Sequence, residues 1–303
     1  MTCNPTWPPL PASLDTPSVV FTDIGGDVDD AAALVLMAIT DPQLALVDTV
    51  DEYPDHRRAR SARHLLDVLA RSDVRVVAGL SLGASGYWAA DGLVPADIEV
   101  PPGDLYDVMS ELCEAGSKSV RCLSLGPLTD IARLLVTDAH RSAPLDSERL
   151  LRVTAMGGAL NYRNPERAGH NWRMNPASVQ TVLAETEHVA LVLSDHTPST
   201  RSRYLRPRRC IGCWTRCRER RRSCCGSITT SSSVASTIRA SSTTPSPRAS
   251  CWGRGSCRGV GEFELRRDGR MREGPGTRAW LSDGVDYTLF MAWMEQIFRD
   301  VPQ

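Results

Sequence analysis

Short apolar runs alternate with helix-forming segments along the first two thirds of the chain. Six runs predict strands, at 18–23, 43–50, 74–79, 118–125, 150–156 and 188–193. Four segments between them predict helices, at 28–39, 56–70, 105–115 and 176–186. Strands that alternate with helices at this spacing predict an α/β fold, whose sheet is mostly parallel and is covered by helices on both faces.

The two ends of the chain show other patterns. Residues 1–16 are proline-rich and predict a loosely attached leader, so that residues 17–303 form a single domain. Residues 266–274 are polar and predict a turn region, whereas 285–298 predicts an amphipathic closing helix. The helix predicted at 56–70 has apolar residues on one face, and its arginines predict a basic outer face.

Four acids are concentrated in residues 23–30, the acid loop, where the first predicted strand passes through two glycines into a helix. They are Asp23, Asp27, Asp29 and Asp30. An aspartate at a helix N-terminus stabilises free N–H groups, which accounts for one or two of them. Four carboxylates this close repel one another unless a cation or a polyol neutralises them. Hard oxygen ligands on a glycine-bearing loop predict a Ca²⁺ or Mg²⁺ site rather than a zinc site.

The acid loop shares one edge of the predicted sheet with three other segments. Asp51-Glu52 follows the second predicted strand, Leu125-Gly126 the fourth, and Met156-Gly157 the fifth. Ligands of open α/β sheets bind beyond the carboxyl ends of the strands. The sequence therefore predicts one site at this edge, with the acid loop at its centre.

Residues 19–30 resemble the nucleoside hydrolases, which cleave the N-glycosidic bond of inosine- and uridine-type ribonucleosides. The family's hallmark is a strand that ends in Asp-x-Asp, a glycine turn, and an Asp-Asp pair that opens a helix. Here Phe21 stands in place of the first Asp. The turn at 126–130, Gly-Pro-Leu-Thr-Asp, is similar to the family's Gly-Pro-Leu-Thr-Asn, with Asp130 in place of Asn. The resemblance extends over about residues 19–197.

The resemblance implies a catalytic centre on the acid loop. Asp23 is implied to be both a metal ligand and the general base, which takes a proton from a Ca²⁺-bound water. Asp30 is implied as a second metal ligand, and Leu125 as a third through its main-chain carbonyl. Ca²⁺ is therefore the expected cofactor. Asp27 receives no role and is interpreted as a solvated loop acid.

The resemblance also implies the groups that bind the sugar. Asp29 and Asn171 are expected to hold the ribose hydroxyls, and Met156 to border the sugar. The segment Ala-Gly-His-Asn at 168–171 is similar to the family's Ala-Glu-Phe-Asn, although Gly169 has lost the ribose-binding Glu.

One further amide position belongs to the loop that follows the fifth predicted strand. Asn161 or Asn164 fills it by resemblance, and the loop length does not decide between them. Each of these asparagines, taken alone, also suits an ordinary turn, because the Asn side chain hydrogen-bonds its own backbone readily.

Residues 201–258 differ in composition from the rest of the chain. They contain fourteen arginines, one acid and seven cysteines, and carry a net charge of +13, against −14 for the remainder. Three interpretations compete: a zinc knot, an arginine-rich nucleic-acid tail, and a stretch translated in the wrong reading frame. We favour the third, because ordinary sequence resumes abruptly at Gly261. On composition alone the stretch is expected to be disordered or poorly packed.

The reading-frame hypothesis has a consequence for the chemistry. Shifting the codons of residues 237–246 back by one base permits His-Asp-Pro-Leu, the family's C-terminal signature. That signature carries the acid histidine for the leaving group and the last aspartate ligand of the metal. The sequence as it stands lacks both residues.

These observations predict hydrolysis of ribonucleosides to base and ribose. The alternative is a catalytically inactive relic of the same fold that binds calcium or ribose. No apolar stretch reaches the length of a membrane span, and no signal peptide is evident. We therefore expect a cytoplasmic protein with a ribonucleoside as its partner and no membrane or nucleic-acid partner. A homo-oligomer is left open.

Overall fold

The computed structural model describes residues 16–51, 53, 55–83, 88–100, 103–114, 119–196 and 260–300. The leader predicted at 1–16, apart from Thr16, and the stretch 201–258 lie outside the described residues. The strands are β1 (Ser18–Thr22), β2 (Leu44–Asp51), β3 (Arg75–Ser81), β4 (Val120–Ser124), β5 (Leu151–Met156), β6 (His188–Val192), β7 (Val260–Leu265), β8 (Met271–Glu273) and β9 (Thr277–Leu281). The helices are α1 (Val28–Thr40), α2 (Arg57–Val68), α3 (Leu105–Glu114), α4 (Thr129–Ala139), α5 (Ser147–Leu150), α6 (His170–Met174), α7 (Pro176–Glu185) and α8 (Tyr287–Asp300). A 3-10 turn spans Ser194–His196.

The described strands form one sheet in the order β3-β2-β1-β4-β5-β6-β9-β7-β8. The seven strands from β3 to β9 pair in parallel, and β7 is antiparallel to both β9 and β8. The chain order reverses at the β1–β4 pair, because β2 and β3 lie on one side and β5 and β6 on the other. The predicted mostly parallel α/β sheet is confirmed.

Helices cover both faces of the sheet. Successive side chains of a strand point to opposite faces, so Val19 and Phe21 of β1 pack into one core and Val20 into the other. The first core receives buried residues of α3, α4 and α7, and the second those of α1, α2 and α8. β1 and β4 are buried along their full length, as strands in the middle of such a sheet must be. The prediction of a doubly covered sheet is therefore confirmed.

The region after residue 259 corrects one prediction. Residues 266–274 were expected to be a turn region, but β8 lies inside that range and pairs with β7. β9 follows and joins β7 to β6. The sheet is thus completed by chain that carries few apolar residues, and Phe263, Met271 and Leu281 supply its buried positions. Charged residues on the exposed face alternate with the buried ones, so the sequence has no continuous apolar run here that would predict a strand.

Candidate active site

The acid loop lies at the point where the chain order of the sheet reverses. It follows β1, and Leu125 follows β4, the parallel neighbour of β1. The Leu125 N–H donates to the Phe21 carbonyl (2.8 Å), which extends the pairing of these strands to the start of the loop. β1 and β4 are neighbours, but the chain continues from them to opposite sides of the sheet. In doubly wound sheets, the crevice beyond the carboxyl ends of two such strands is the usual ligand site.

Asp23 lies directly against the turn that follows β4. A Cβ placed on Gly126 would come within 2.8 Å of Asp23 Oδ1 and 2.9 Å of the Asp23 nitrogen, so only glycine leaves room for this carboxylate. His170, at the start of α6, places its ring Nε2 3.6 Å from Asp23 Oδ2. The structure therefore brings the predicted base together with the turn after β4 and with an imidazole.

Asp29 and Asp30 belong to the first turn of α1, and both are buried. The Thr22 hydroxyl donates to Asp30 Oδ1 (2.6 Å), which ties the helix start to the end of β1. The Asp30 N–H donates to Asp29 Oδ1 (3.2 Å). Asp27 occupies the N-cap position of α1, yet its side chain makes no capping hydrogen bond. Asp29 thus satisfies one free N–H of the helix start, whereas N-capping does not account for Asp27.

The acid loop is electrostatically strained. Burial raises the pKa of Asp30 well above its usual range, and the charges of Asp23 and Asp29 raise it further. The hydrogen bond from Thr22 and the charge of Arg58 oppose that rise. Carboxylates this close repel one another when they are ionised, and a bound cation would reduce that repulsion.

Asn171 joins the turns that follow β4 and β5. It is buried, and its Nδ2 donates to the Leu125 carbonyl (2.5 Å) and to the Met156 carbonyl (3.2 Å). The same nitrogen lies 3.5 Å from the Met156 sulfur. α6 thus carries Asn171 to the carboxyl edge of the sheet, where it contacts both Leu125 and Met156.

Comparison with known proteins decides the family. A profile described as "Inosine-uridine preferring nucleoside hydrolase" matches residues 19–239. The chain belongs to this family. Pyrimidine-specific ribonucleoside hydrolase RihA of Shewanella sp. (strain ANA-3) is 27% identical over 196 residues, which cover 60% of this chain and 57% of that protein. RihA of Photobacterium profundum is 26% identical over 203 residues, with 62% and 60% covered. The chain thus matches little more than half the length of these curated relatives.

Solved structures of nucleoside hydrolases share the fold. The inosine-uridine preferring enzyme of Bacillus anthracis aligns with a TM-score of 0.59 at 18% identity, over 93% of this chain and 99% of that one. A plant nucleoside hydrolase aligns with a TM-score of 0.65 at 14% identity, over 94% and 99%. Within the described residues, no helix is long and apolar enough to cross a membrane.

The donor set partly fits the divalent cation expected in this family. Asp23, Asp30 and the Leu125 carbonyl offer hard oxygens, which suit Ca²⁺ or Mg²⁺. The raised pKa of Asp30 marks a carboxyl that would gain from such a charge. Among the described residues, however, no three His, Cys, Asp or Glu side chains converge as a ready metal cluster. The described residues therefore offer some of the oxygen ligands that a divalent cation needs, but not a complete set.

Asn161 and Asn164 lie on the loop after β5, and neither side chain is hydrogen-bonded to the acid loop within the described residues. Asn161 is exposed, and its N–H donates to Asp195 Oδ1 (2.7 Å). Asn164 accepts a hydrogen bond from the Glu166 N–H (3.3 Å) in a local turn. The choice of Asn161 as the second ribose-binding amide stays a prediction.

Besides His170, which lies in the segment 168–171 but was given no role, sequence reasoning missed two residues beside the site. Asp195, in the 3-10 turn after β6, accepts from the Leu160 N–H (2.8 Å) as well as from Asn161. Arg58 of α2 is only 1% exposed, although the arginines of this helix were expected to face outwards. Its side chain points inwards, where it donates hydrogen bonds to the carbonyls of Asp23 and Ile24. Neither residue follows a motif, so only a contact map could have found them.

Proposed function

We propose that this chain hydrolyses the N-glycosidic bond of ribonucleosides and releases the base and ribose, at a rate lowered by the altered stretch 201–258. The observation that carries the proposal is the position of Asp23. It lies at the reversal point of the sheet, against Gly126 and 3.6 Å from His170, in a chain of the nucleoside hydrolase family. The names of the RihA relatives support pyrimidine ribonucleosides as substrates to be tested first.

N-glycosidic cleavage proceeds through a transition state in which the ribosyl ring carries positive charge. The site must therefore activate a water and stabilise that charge. In the proposed mechanism, Asp23 accepts the proton of the water that attacks the anomeric carbon. The C–N bond breaks, and the base leaves with its electron pair and takes a proton from solvent. The neighbouring carboxylates Asp29 and Asp30 provide the negative field in which the ribosyl cation develops.

Ca²⁺ is the proposed cofactor, held by Asp23, Asp30 and the Leu125 carbonyl. A bound divalent cation lowers the pKa of water and stabilises hydroxide near neutral pH. The Thr22 hydroxyl orients Asp30 through its hydrogen bond to Oδ1. Asn171 shares the Leu125 carbonyl with this proposed site.

The proposed sugar site uses the groups beside these ligands. Asp29 accepts hydrogen bonds from the ribose hydroxyls, and Asn171 assists from α6. Met156 borders the sugar, because its sulfur and its carbonyl both lie against Asn171. Asn161 would reach the sugar from the loop after β5. The proposed setting is the cytoplasm, which cell fractionation tests.

A second candidate function is a calcium- or ribose-binding relic without catalysis. Three departures from the family favour it: Phe21 is fully buried where the first Asp is expected, Gly169 replaces the ribose-binding Glu, and no acid histidine has been assigned. Losing a general acid costs about 10²- to 10⁴-fold in rate. The relic would bind ribose or Ca²⁺ but release no ribose from nucleosides.

The deciding experiment measures ribose release from uridine, cytidine and inosine, with Ca²⁺ and with a chelator. It compares this chain with Asp23→Asn and with a chain in which residues 201–258 are read in the shifted frame. We expect calcium-dependent release from the frame-shifted version, little from this chain, and none from Asp23→Asn. Equal and robust release from the first two chains would contradict the reading-frame hypothesis. No release from any of them, together with ribose binding, would favour the relic.

A further inference from the structure

Arg58 is a buried arginine that contacts the acid loop from α2. Its Nη1 donates to the carbonyls of Asp23 and Ile24, the latter at 2.9 Å. Its guanidinium carbon lies 5.7 Å from the centre of the Tyr53 ring. Placing a guanidinium in the interior costs several kcal/mol unless its donors are satisfied. A buried charge with so large a cost in free energy suggests that Arg58 has a functional role.

The two carbonyls belong to the residues at which the chain leaves the sheet. β1 ends at Thr22, and the partly buried carbonyl of Asp23 and the buried carbonyl of Ile24 follow at the turn into the acid loop. Buried carbonyls need a donor. The next carbonyl, that of Gly25, accepts from the Ala89 N–H (2.8 Å). Three successive carbonyls are thus held from outside the loop, and Arg58 holds the two nearest the carboxylate of Asp23.

The opposite side of Asp23 is closed by the turn after β4. The space above Gly126 is filled by the Asp23 carboxylate, as the 2.8 Å approach of a Cβ there demonstrates. Arg58 therefore fixes the main chain of Asp23, while Gly126 limits where its side chain can lie. A planar guanidinium suits this task because its N–H groups have a rigid geometry that a lysine ammonium lacks.

We propose that Arg58 is a positioning residue for the nucleoside hydrolysis, one that sets the direction of the Asp23 carboxylate through the Asp23 and Ile24 carbonyls. This inference rests on the proposed function. Arg58 touches neither substrate nor cation in this role. Asp23 is both the proposed base and a proposed cation ligand. Loss of Arg58 therefore displaces both functions, so catalysis and cation affinity fall together.

The test compares Arg58→Met and Arg58→Lys with a matched control on the same helix. Arg63 also donates to main-chain carbonyls, those of Val74 (2.7 Å) and Arg71 (3.0 Å), but these lie at the α2–β3 connection. Arg63→Met therefore removes arginine–carbonyl contacts away from the acid loop, together with an ion pair to Asp67 (2.9 Å). Each variant is measured for thermal unfolding and for affinity for Tb³⁺, a luminescent substitute for Ca²⁺. Its kcat and KM with uridine are measured in the version whose residues 201–258 are read in the shifted frame.

Both methionine variants are expected to lose stability, whereas only Arg58→Met is expected to lose function. Displacing a catalytic group by up to about 1 Å lowers kcat by about 10- to 100-fold, with KM much less affected. Tb³⁺ affinity should fall in Arg58→Met and remain at the parent value in Arg63→Met. Arg58→Lys should recover part of kcat, and it stands in for Arg58→Met if the latter does not fold.

The outcomes separate this inference from the proposed function. If the parent releases no ribose but binds Tb³⁺, the proposed function fails, and the Tb³⁺ affinity of the variants alone decides about Arg58. If kcat and Tb³⁺ affinity are the same in folded Arg58→Met and Arg63→Met, the inference is overturned. A parent that neither hydrolyses nucleosides nor binds Tb³⁺ also overturns it, because Asp23 would then have no task for Arg58 to support.

Discussion

At the scale of single residues, two carboxyls outside the acid loop are buried and interact with each other. Asp48 of β2 is 0% exposed, and Asp130 of α4 is 1% exposed. The two carboxyls hydrogen-bond each other side chain to side chain, and Asp130 Oδ1 also accepts from the Leu80 N–H (2.9 Å). Burial raises the pKa of Asp130 to about 6 and, with the charge of Asp130, raises the pKa of Asp48. Between pH 3.8 and about 6, this pair therefore binds more protons in the folded protein than in the unfolded chain.

The first prediction concerns the pH dependence of stability. Because the pKa of Asp130 rises from 3.8 to about 6 on folding, this group costs stability as the pH rises through that interval. Asp130→Asn removes one titration, keeps an acceptor for the Leu80 N–H, and offers an amide donor to Asp48. We expect the variant to be more stable than the parent at pH 8 by about 1–3 kcal/mol, with a smaller difference at pH 4. Urea unfolding at both pH values measures this.

The exposed Asp97 provides the control for that experiment. Asp97→Asn should leave the free energy of unfolding and its pH dependence close to those of the parent. Parallel stability curves for the parent and Asp130→Asn between pH 4 and pH 8 would contradict the argument that the buried pair binds excess protons.

The second prediction concerns Asp30 and the cation. Because burial raises the pKa of Asp30, its ionised form lowers stability at pH 8 in chelator, so Asp30→Asn should melt higher than the parent there. In Ca²⁺ at about 100 times its Kd, the parent should gain about 2.7 kcal/mol, and Asp30→Asn much less. Thermal unfolding with Ca²⁺ and with chelator provides the measurement. Asp27→Asn is the control that keeps the gain, and an equal gain in Asp30→Asn would remove Asp30 from the cation site.

At the scale of elements, the 3-10 turn Ser194–His196 connects several parts of the site edge. Its Asp195 binds two consecutive amides of the loop after β5, and the Ser194 N–H donates to the Gly158 carbonyl (2.9 Å). The His196 ring contacts the Ser282 carbonyl (3.2 Å), and the Tyr287 hydroxyl donates to the His196 carbonyl. One turn therefore positions the loop of Asn161 relative to β9 and α8.

The third prediction tests that anchor. Asp195→Ala removes two hydrogen bonds from a carboxylate and should cost about 1–3 kcal/mol of unfolding free energy. If Asn161 binds ribose, KM for uridine should rise more than kcat falls, because the displaced loop weakens ground-state and transition-state binding alike. Asp195→Asn, which keeps one acceptor oxygen, should lie between the parent and Asp195→Ala. An unchanged KM in a destabilised Asp195→Ala would limit the role of this turn to stability.

At the scale of the whole molecule, the sheet joins chain from both sides of the stretch 197–259. β9 pairs with β6, and Phe263 of β7 is fully buried in the same core as Phe21. α8 packs Phe290 and Met294 into the other core, together with α1 and α2. The residues after 259 are thus part of both cores.

The fourth prediction follows from that packing. Phe263→Ala should lower the free energy of unfolding by about 3–5 kcal/mol, because it opens a cavity in the first core. The transition should remain single and should include β1 to β6, since these strands share that core. Val260→Ala, at a position 49% exposed, should change stability by less than about 0.5 kcal/mol. An unchanged midpoint in Phe263→Ala would mean that β7 is not integrated into the sheet. Denaturant unfolding followed by circular dichroism measures both variants.

Patterns within a few residues were enough to predict most of the parallel sheet. The runs at 18–23 and 188–193 became β1 and β6 with ends that differ by one residue, because buried strands are continuous apolar runs. β7, β8 and β9 were not predicted, since their charged residues are tolerated on an exposed face and give no apolar run. α4 was not assigned as a helix either, although it begins at Thr129, inside the turn that carried the family resemblance.

By itself, the sequence determined the acid loop, because a strand end, a glycine turn and a helix start are encoded within twelve consecutive residues. It also placed Leu125 and Met156 at the edge of that loop, since parallel strands all end on one side. Only the tertiary structure decided what surrounds Asp23: the imidazole of His170, the space at Gly126 and the inward turn of Arg58. The physical reason is that these contacts join residues 35 to 147 positions apart, through side-chain orientations that depend on how the helices pack and that no local periodicity encodes.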